Sequence, residues 1–249
     1  MVSVPILKYK LTIEYDGTNY HGWQKQPGLK TIQAVIEHGL QILLGEKTSV
    51  ISASRTDAGV HALGQVAHFK TRRKLTPFAV LRGLNSLLPD DIVIVRVEQV
   101  TADFHSQFDA KSKVYRYTVL NRQYSSALGR HYVFFMPGRV NVASMRKAAK
   151  YLTGRHDFSS FTAAGTVRSS FVRKITRLTI GKTGDFLVFT VEGNGFLKGM
   201  VRIIVGTLLE VGRGRRKPES IKEILKARRR TASGATAPGR GLCLVKVKY

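Results

Sequence analysis

The chain holds one cysteine and 16 acidic residues against 41 basic ones, and no run of about 18 apolar residues. The lone Cys243 excludes an internal disulfide and any multi-cysteine zinc site; within LCLV it reads as a buried strand residue. The lack of a long apolar run excludes a spanning helix. The N-terminal VSVPILKYKLTIEY is interrupted by Lys8, Lys10 and Glu14 where a secretory leader needs continuous apolar sequence, so a cytoplasmic location is expected. The histidines, including His21, His61, His68, His105 and His156, show neither HExxH spacing nor an accompanying carboxylate cluster, so no metal site is expected. A phosphate cradle is missing too. GKT at Gly181 would need a glycine at Thr176, and in GNGFLKG the third glycine, Gly199, comes one residue late for a dinucleotide fingerprint, which leaves a tight turn as the better account.

What is present is charge and core. A formal net charge of +25 draws a protein to polyanions, and without a membrane segment nucleic acid is the expected partner. With 43% hydrophobic residues, 249 positions suffice for one large domain or two small ones. KYKLTIEY alternates with period two and predicts a half-buried strand, followed by the loop DGTNYHGW. TIQAVIEHGLQILLGE places Ile32, Val35, Ile36, Leu40, Leu43 and Leu44 at helical spacing behind a candidate N-cap, Thr31. VISASR and QVAHFKT read as strands, TPFAVLRGLNSLLP as a helix opened by Thr76 and Pro77, and IVIVRVEQV as a strand.

A similar order recurs: strand QFDAKSKVYRYTVL, helix VNVASMRKAAKYLTG behind Asn141, strands RKITRLTIG and FLVFTVEG around KTGD, helices FLKGMVRIIVGTLLEVG and PESIKEILKARRR, and strand LCLVKVKY. Helices mixed among strands predict an α+β fold with mainly antiparallel sheet in two halves, 1–102 and 103–249, each with flanking helices.

RTDAGVHA, Arg55 to Ala62, admits two readings. Asp-Ala-Gly is ordinary turn chemistry, because Asp bonds its own backbone and Gly accepts positive φ. Extended geometry over Ser54 to Asp57 would instead put Arg55 and Asp57 on one face, where the guanidinium keeps the carboxylate ionised as a nucleophile or base is kept.

RTDAGVHA also resembles the signature of the TruA family of tRNA pseudouridine synthases. EYDGTNYHGWQKQP (Glu14 to Pro27) with TIQ at Thr31 resembles that family's first strand and loop, KVYRY at Lys113 its second motif, and GFLKGMVRIIVGTLLEVGRG at Gly195 its third; Lys198 and Gly199 depart slightly. The resemblance spans nearly the whole chain. It implies a pseudouridine synthase fold whose halves flank a basic cleft, isomerisation of uridine to pseudouridine at positions 38, 39 and 40 of the tRNA anticodon arm, no cofactor, and a homodimer.

Carried onto this sequence, the resemblance makes Asp57 the carboxylate that starts the reaction, by attack on C1′, attack on the ring, or removal of a sugar proton. Arg55 matches the first-motif arginine, beside the carboxylate and able to fill the gap left by a flipped nucleotide. Tyr115 matches the tyrosine that stacks on the target base and whose hydroxyl could assist loss of the C5 proton; strand spacing alone does not separate it from Tyr117. Arg202 matches the arginine that pairs with the carboxylate, and a cation in so apolar a helix needs an anion. A noncatalytic RNA-binding protein or chaperone would account for the charge but leave RTDAGVHA a mere turn. A nuclease is disfavoured by the lack of clustered carboxylates or paired histidines.

Overall fold

Alternation of Tyr9, Leu11, Ile13 and Tyr15 with polar neighbours yields β1 (Leu7–Tyr15) in the computed structural model, which describes residues 5–249. There follow α1 (Ile32–Leu44), β2 (Ile51–Ser52), β3 (His61–Thr71), α2 (Pro77–Leu87) and β4 (Ile92–Val100). β5 (Ser112–Leu120), β6 (Phe134–Phe135), α3 (Val142–Lys150), β7 (Gly154–Asp157), β8 (Val172–Thr183) and β9 (Phe186–Gly193) come next. α4 (Met200–Gly212), α5 (Ser220–Ala227) and β10 (Leu242–Lys248) complete the order. The fold is mixed α+β, as the pattern of elements predicts. Internal contacts divide the chain into two units, Met1–Lys111 with Leu244–Tyr249, and Ser112–Cys243.

In the first unit β1 pairs antiparallel with both β3 and β4, in registers that set Tyr9 opposite Phe69 and Leu11 opposite Val97. Its apolar face, Tyr9, Leu11, Ile13 and Tyr15, is buried. α1 buries Ile32, Ile36, Leu40 and Leu44, one ridge at intervals of four. Its Gly39 faces Leu84 and Leu88 beside α2. Thr76 caps α2 by accepting from the Ala79 N–H at 3.1 Å. Thr31 occupies the N-cap of α1 without a side-chain cap bond, and its Oγ1 is buried without a hydrogen-bond partner. The C-terminal strand lies beside β3. There a Cβ on Gly64 would come within 2.6 Å of the Val245 carbonyl oxygen, and the Lys111 N–H donates to Lys248 O at 2.8 Å.

In the second unit the strand order is β5-β9-β8-β7, antiparallel throughout, with β6 parallel to β5. Asn141 caps α3, accepting from the Ser144 N–H at 2.9 Å. α4 is buried along nearly its whole length, and its Gly206 lies so close to the Ala235 carbonyl that a Cβ would fall 1.8 Å from the oxygen.

Two expectations need correcting. The strand expected over VISASR is only Ile51–Ser52, because the chain turns away from β3 after Ala53. Cys243 is half-buried rather than buried, since the period-two alternation of β10 gives the interior to Leu242 and Leu244.

Candidate active site

The motif RTDAGVHA begins in the connection between β2 and β3 and ends within β3. Thr56 is buried between an exposed Arg55 and a half-buried Asp57. Exposure thus alternates along the motif, with Arg55 and Asp57 reaching solvent and Thr56 turned to the interior. The turn reading also holds for the main chain: the Val60 N–H donates to Asp57 O at 3.2 Å, and Gly59 has φ +71°. Asp57 therefore opens a tight turn whose sharp bend is carried by Gly59.

The loop after β1 is pressed against this turn, backbone to backbone. A Cβ on Gly17 would stand 2.1 Å from the Val60 oxygen, and one on Gly22, itself at φ +89°, 2.6 Å from the Thr56 oxygen. The Trp23 N–H donates to Thr56 O at 3.0 Å and the Gly59 N–H to Tyr20 O at 3.4 Å. Beneath, the Thr56 hydroxyl meets the Tyr15 hydroxyl at 2.7 Å, and Tyr15 lies 6.0 Å from the Trp23 ring centre. The glycines of DGTNYHGW thus allow one loop to brace the other.

Tyr115 and Arg202 belong to the second unit. Lys113, Tyr115, Tyr117 and Val119 form the buried face of β5. Tyr115 is 6% exposed and sits edge-on to Phe196 at 5.2 Å. Tyr117 is fully buried, its hydroxyl donates to Pro238 O at 2.8 Å, and burial raises its pKa against the opposing pull of Arg202 and Arg240. The structure thereby separates two tyrosines that strand spacing leaves equivalent. Arg202 lies in the first turns of α4, half-buried, with Nε donating to Ala237 O at 2.7 Å while the Ala237 N–H returns to Arg202 O at 3.1 Å. Gly199, with φ +71°, is the N-cap residue of this helix, so one departure from the family's motif falls where the backbone itself calls for glycine.

Several neighbours were not singled out by sequence. Phe196, Lys113 and Gln65 sit among motif residues but carried no spacing signal. Lys113 has its pKa lowered to about 8, by burial and then by Arg173. Among the described residues no group of three or more His, Cys, Asp or Glu side chains could hold a metal ion.

The model of the family described as tRNA pseudouridine synthase matches residues 11–109 and 148–249, so it takes in the β1 loop, RTDAGVHA and all of α4. The chain belongs to the tRNA pseudouridine synthase family. It is 47% identical over 239 residues to tRNA pseudouridine synthase A of Thermoanaerobacter sp. (strain X514), covering 96% of this chain and 98% of the relative. It is 48% identical to the proteins of that name from Acetivibrio thermocellus, over 240 residues with 96% and 98% covered, and from Ruminiclostridium cellulolyticum, over 243 residues with 97% and 99% covered. Among solved structures, a Cbf5-Nop10-Gar1 complex matches 80% of this chain and 54% of the complex's chain, at 12% identity and a TM-score of 0.36. The family is one of isomerases acting on tRNA, and this chain is an enzyme of that class.

Proposed function

We propose that this synthase converts uridine to pseudouridine in the anticodon arm of tRNA, at positions 38, 39 and 40, with Asp57 as the carboxylate that starts the reaction. The observation that carries the reading is the bracing of Thr56 to Val60: the loop after β1 fixes the main chain of the turn while Arg55 and Asp57 keep exposed surface. The reaction breaks the C1′–N1 bond, joins C1′ to C5, expels the C5 proton and leaves a proton on N1. A carboxylate that attacks C1′, attacks the ring or removes a sugar proton must in each case be ionised and fixed beside an extruded nucleotide.

In this reading Arg55 supports the carboxylate and fills the space the flipped nucleotide vacates. Tyr115 stacks on the uracil and its phenol takes part in loss of the C5 proton, a role for which Tyr117 is unsuited because its hydroxyl is committed to Pro238. Arg202 is the cationic partner of the carboxylate; its Nε bond to Ala237 O fixes the plane of the guanidinium. No cofactor enters the scheme. The resemblance extends the reading to a homodimer in the cytoplasm, and light scattering of the purified protein tests the dimer.

The deciding experiment uses tRNA tritiated at uracil C5. Isomerisation by the parent releases label without shortening the RNA, and Asp57→Asn releases none while still binding. Parental release by Asp57→Asn would overturn the assignment.

A further inference from the structure

β2 and β3 pair as far as Ser52 opposite Ala67, and the Ala53 N–H still reaches Val66 O at 2.7 Å. One residue on, a side chain takes over the ladder. Gln65 is fully buried in β3; its Oε1 accepts from the Ser54 N–H at 3.3 Å and its Nε2 donates to Ser54 O at 2.7 Å. This is the two-point bond that a neighbouring strand would make. The amide's orientation is fixed by its surroundings, since Oε1 also accepts from the Val66 N–H at 3.2 Å. Nε2 lies 3.5 Å from the Tyr15 hydroxyl, which holds Thr56 at 2.7 Å. Gln65 and the Tyr15–Thr56 pair thus grip the main chain at Ser54 and the side chain at Thr56, the approach to Asp57.

We propose that Gln65 is a positioning residue for the isomerisation: its carboxamide, with the Tyr15–Thr56 hydroxyl pair, sets the height and direction of the Asp57 carboxylate. The proposal rests on the reading of Asp57 as the catalytic carboxylate. Extended chain that leaves a sheet is free to swing unless something replaces the ladder, and a misplacement of about 1 Å costs on the order of 10²-fold in rate. Gln suits the task because it both donates and accepts at one residue's backbone, whereas a carboxylate only accepts.

The test measures single-turnover tritium release at saturating tRNA, together with tRNA Kd, for five variants. Gln65→Leu should lower the saturating rate about 10- to 100-fold with Kd unchanged. Thr56→Val should lower it and Thr56→Ser should not, because serine keeps the hydroxyl. Gln65→Glu carries the sharpest readout. A buried carboxyl titrates well above its ordinary value, and once protonated it donates and accepts as the amide does. Its rate divided by the parental rate at the same pH should therefore climb as pH falls from about 8.5 to about 6. A merely structural role would lower Tm without giving this pH-dependent rescue. A parental saturating rate for folded Gln65→Leu, or a pH-independent Gln65→Glu ratio, would overturn the proposal. If Gln65→Leu fails to fold, the Gln65→Glu ratio and the Thr56 pair decide. An active Asp57→Asn overturns the function itself; an inert Asp57→Asn beside a normal Gln65→Leu overturns only the positioning role.

Discussion

Asp57 and Tyr115 are held by opposite means. Tyr115 stands on β5, a strand bonded over its whole length to β9, and its direction follows from register alone. Asp57 stands where the ladder has ended, and it depends on glycine-permitted contacts and buried hydroxyls from neighbouring segments. A residue on a regular element inherits precision from many equivalent bonds. One on a turn has precision only as good as a few unlike ones, so single substitutions far from the chemistry should be felt there and not on β5.

The largest expected effect is at the carboxylate. Asp57→Asn preserves size and should reduce single-turnover isomerisation by at least about 10³-fold while leaving tRNA affinity intact. On the β5 side, Tyr115→Phe keeps the ring against Phe196 and should retain affinity but lose rate, and Tyr115→Leu should lose both. If Tyr115→Phe matches the parent, the phenol takes no part in proton transfer and only stacking remains.

Glycine substitutions address the scaffolds directly. Gly17→Ala sets a methyl against a backbone oxygen that cannot rotate away, so it should destabilise the first unit by about 3 kcal/mol or more. Gly199→Ala meets only ordinary contacts, the nearest Ile203 Cδ1 at 3.5 Å, and should lose about 1 kcal/mol for its left-handed φ. Denaturant melts of the two variants rank them. Equal losses would show that close approach of the loops matters no more than a strained cap.

The elements were legible where one face is apolar and the other polar. β1 and α1 follow from spacing, and the caps at Thr76 and Asn141 follow from residue type. What sequence does not carry is which strand lies beside which: LCLVKVKY announces a strand without announcing that it lies next to β3. Gln65 illustrates a different gap. A glutamine in a strand reads as a solvent-facing residue, and only the departure of the chain at Ala53 gives it a buried backbone to bind. Tyr115 and Tyr117 share a face, so spacing could not show that Tyr117 buries its hydroxyl on Pro238 O while the Tyr115 ring packs against Phe196.

The first unit also carries an acid-sensitive point. His68 is buried, with Nδ1 2.9 Å from the Ser106 hydroxyl, and its pKa is lowered to about 4, by burial and then by the charges of His105, Lys8 and Lys70. A histidine whose pKa falls on folding binds more protons when unfolded. Its contribution is therefore complete above the ordinary value near 6.5 and is lost as pH drops from about 6.5 to about 4. The parent's Tm should fall by several degrees more than that of His68→Gln across this window. Parallel curves would place the acid sensitivity elsewhere.

The smallest effects on rate should come from the basic run Arg215, Arg216 and Lys217, adjacent in sequence but unlike in their surroundings. Arg215 and Lys217 are exposed, whereas Arg216 is half-buried, donates from Nε to Glu210 at 2.6 Å and reaches Ala232 O at 3.0 Å. Burial would raise the Glu210 pKa, but Arg216 and the Ala235 N–H outweigh it and hold the carboxyl below its ordinary range. Arg216 is thus part of the packing between α4 and the segment that follows it. If six to ten phosphates are engaged, tRNA affinity should fall by about 10³ to 10⁵ between about 50 and about 200 mM salt, less steeply for folded or single-stranded RNA. Neutralising Arg215 and Lys217 should lower the slope of log affinity against log salt by up to about two and leave the saturating single-turnover rate unchanged. Arg216→Gln should instead lower Tm and barely move the slope, because it strands Glu210 rather than removing a contact to phosphate. A salt titration of binding, paired with melts of both variants, reads the two effects apart. A parental slope in the double variant would remove these residues from the RNA path, and an Arg216→Gln slope as shallow as the double variant's would show that the Glu210 pair does not keep this arginine from the phosphates.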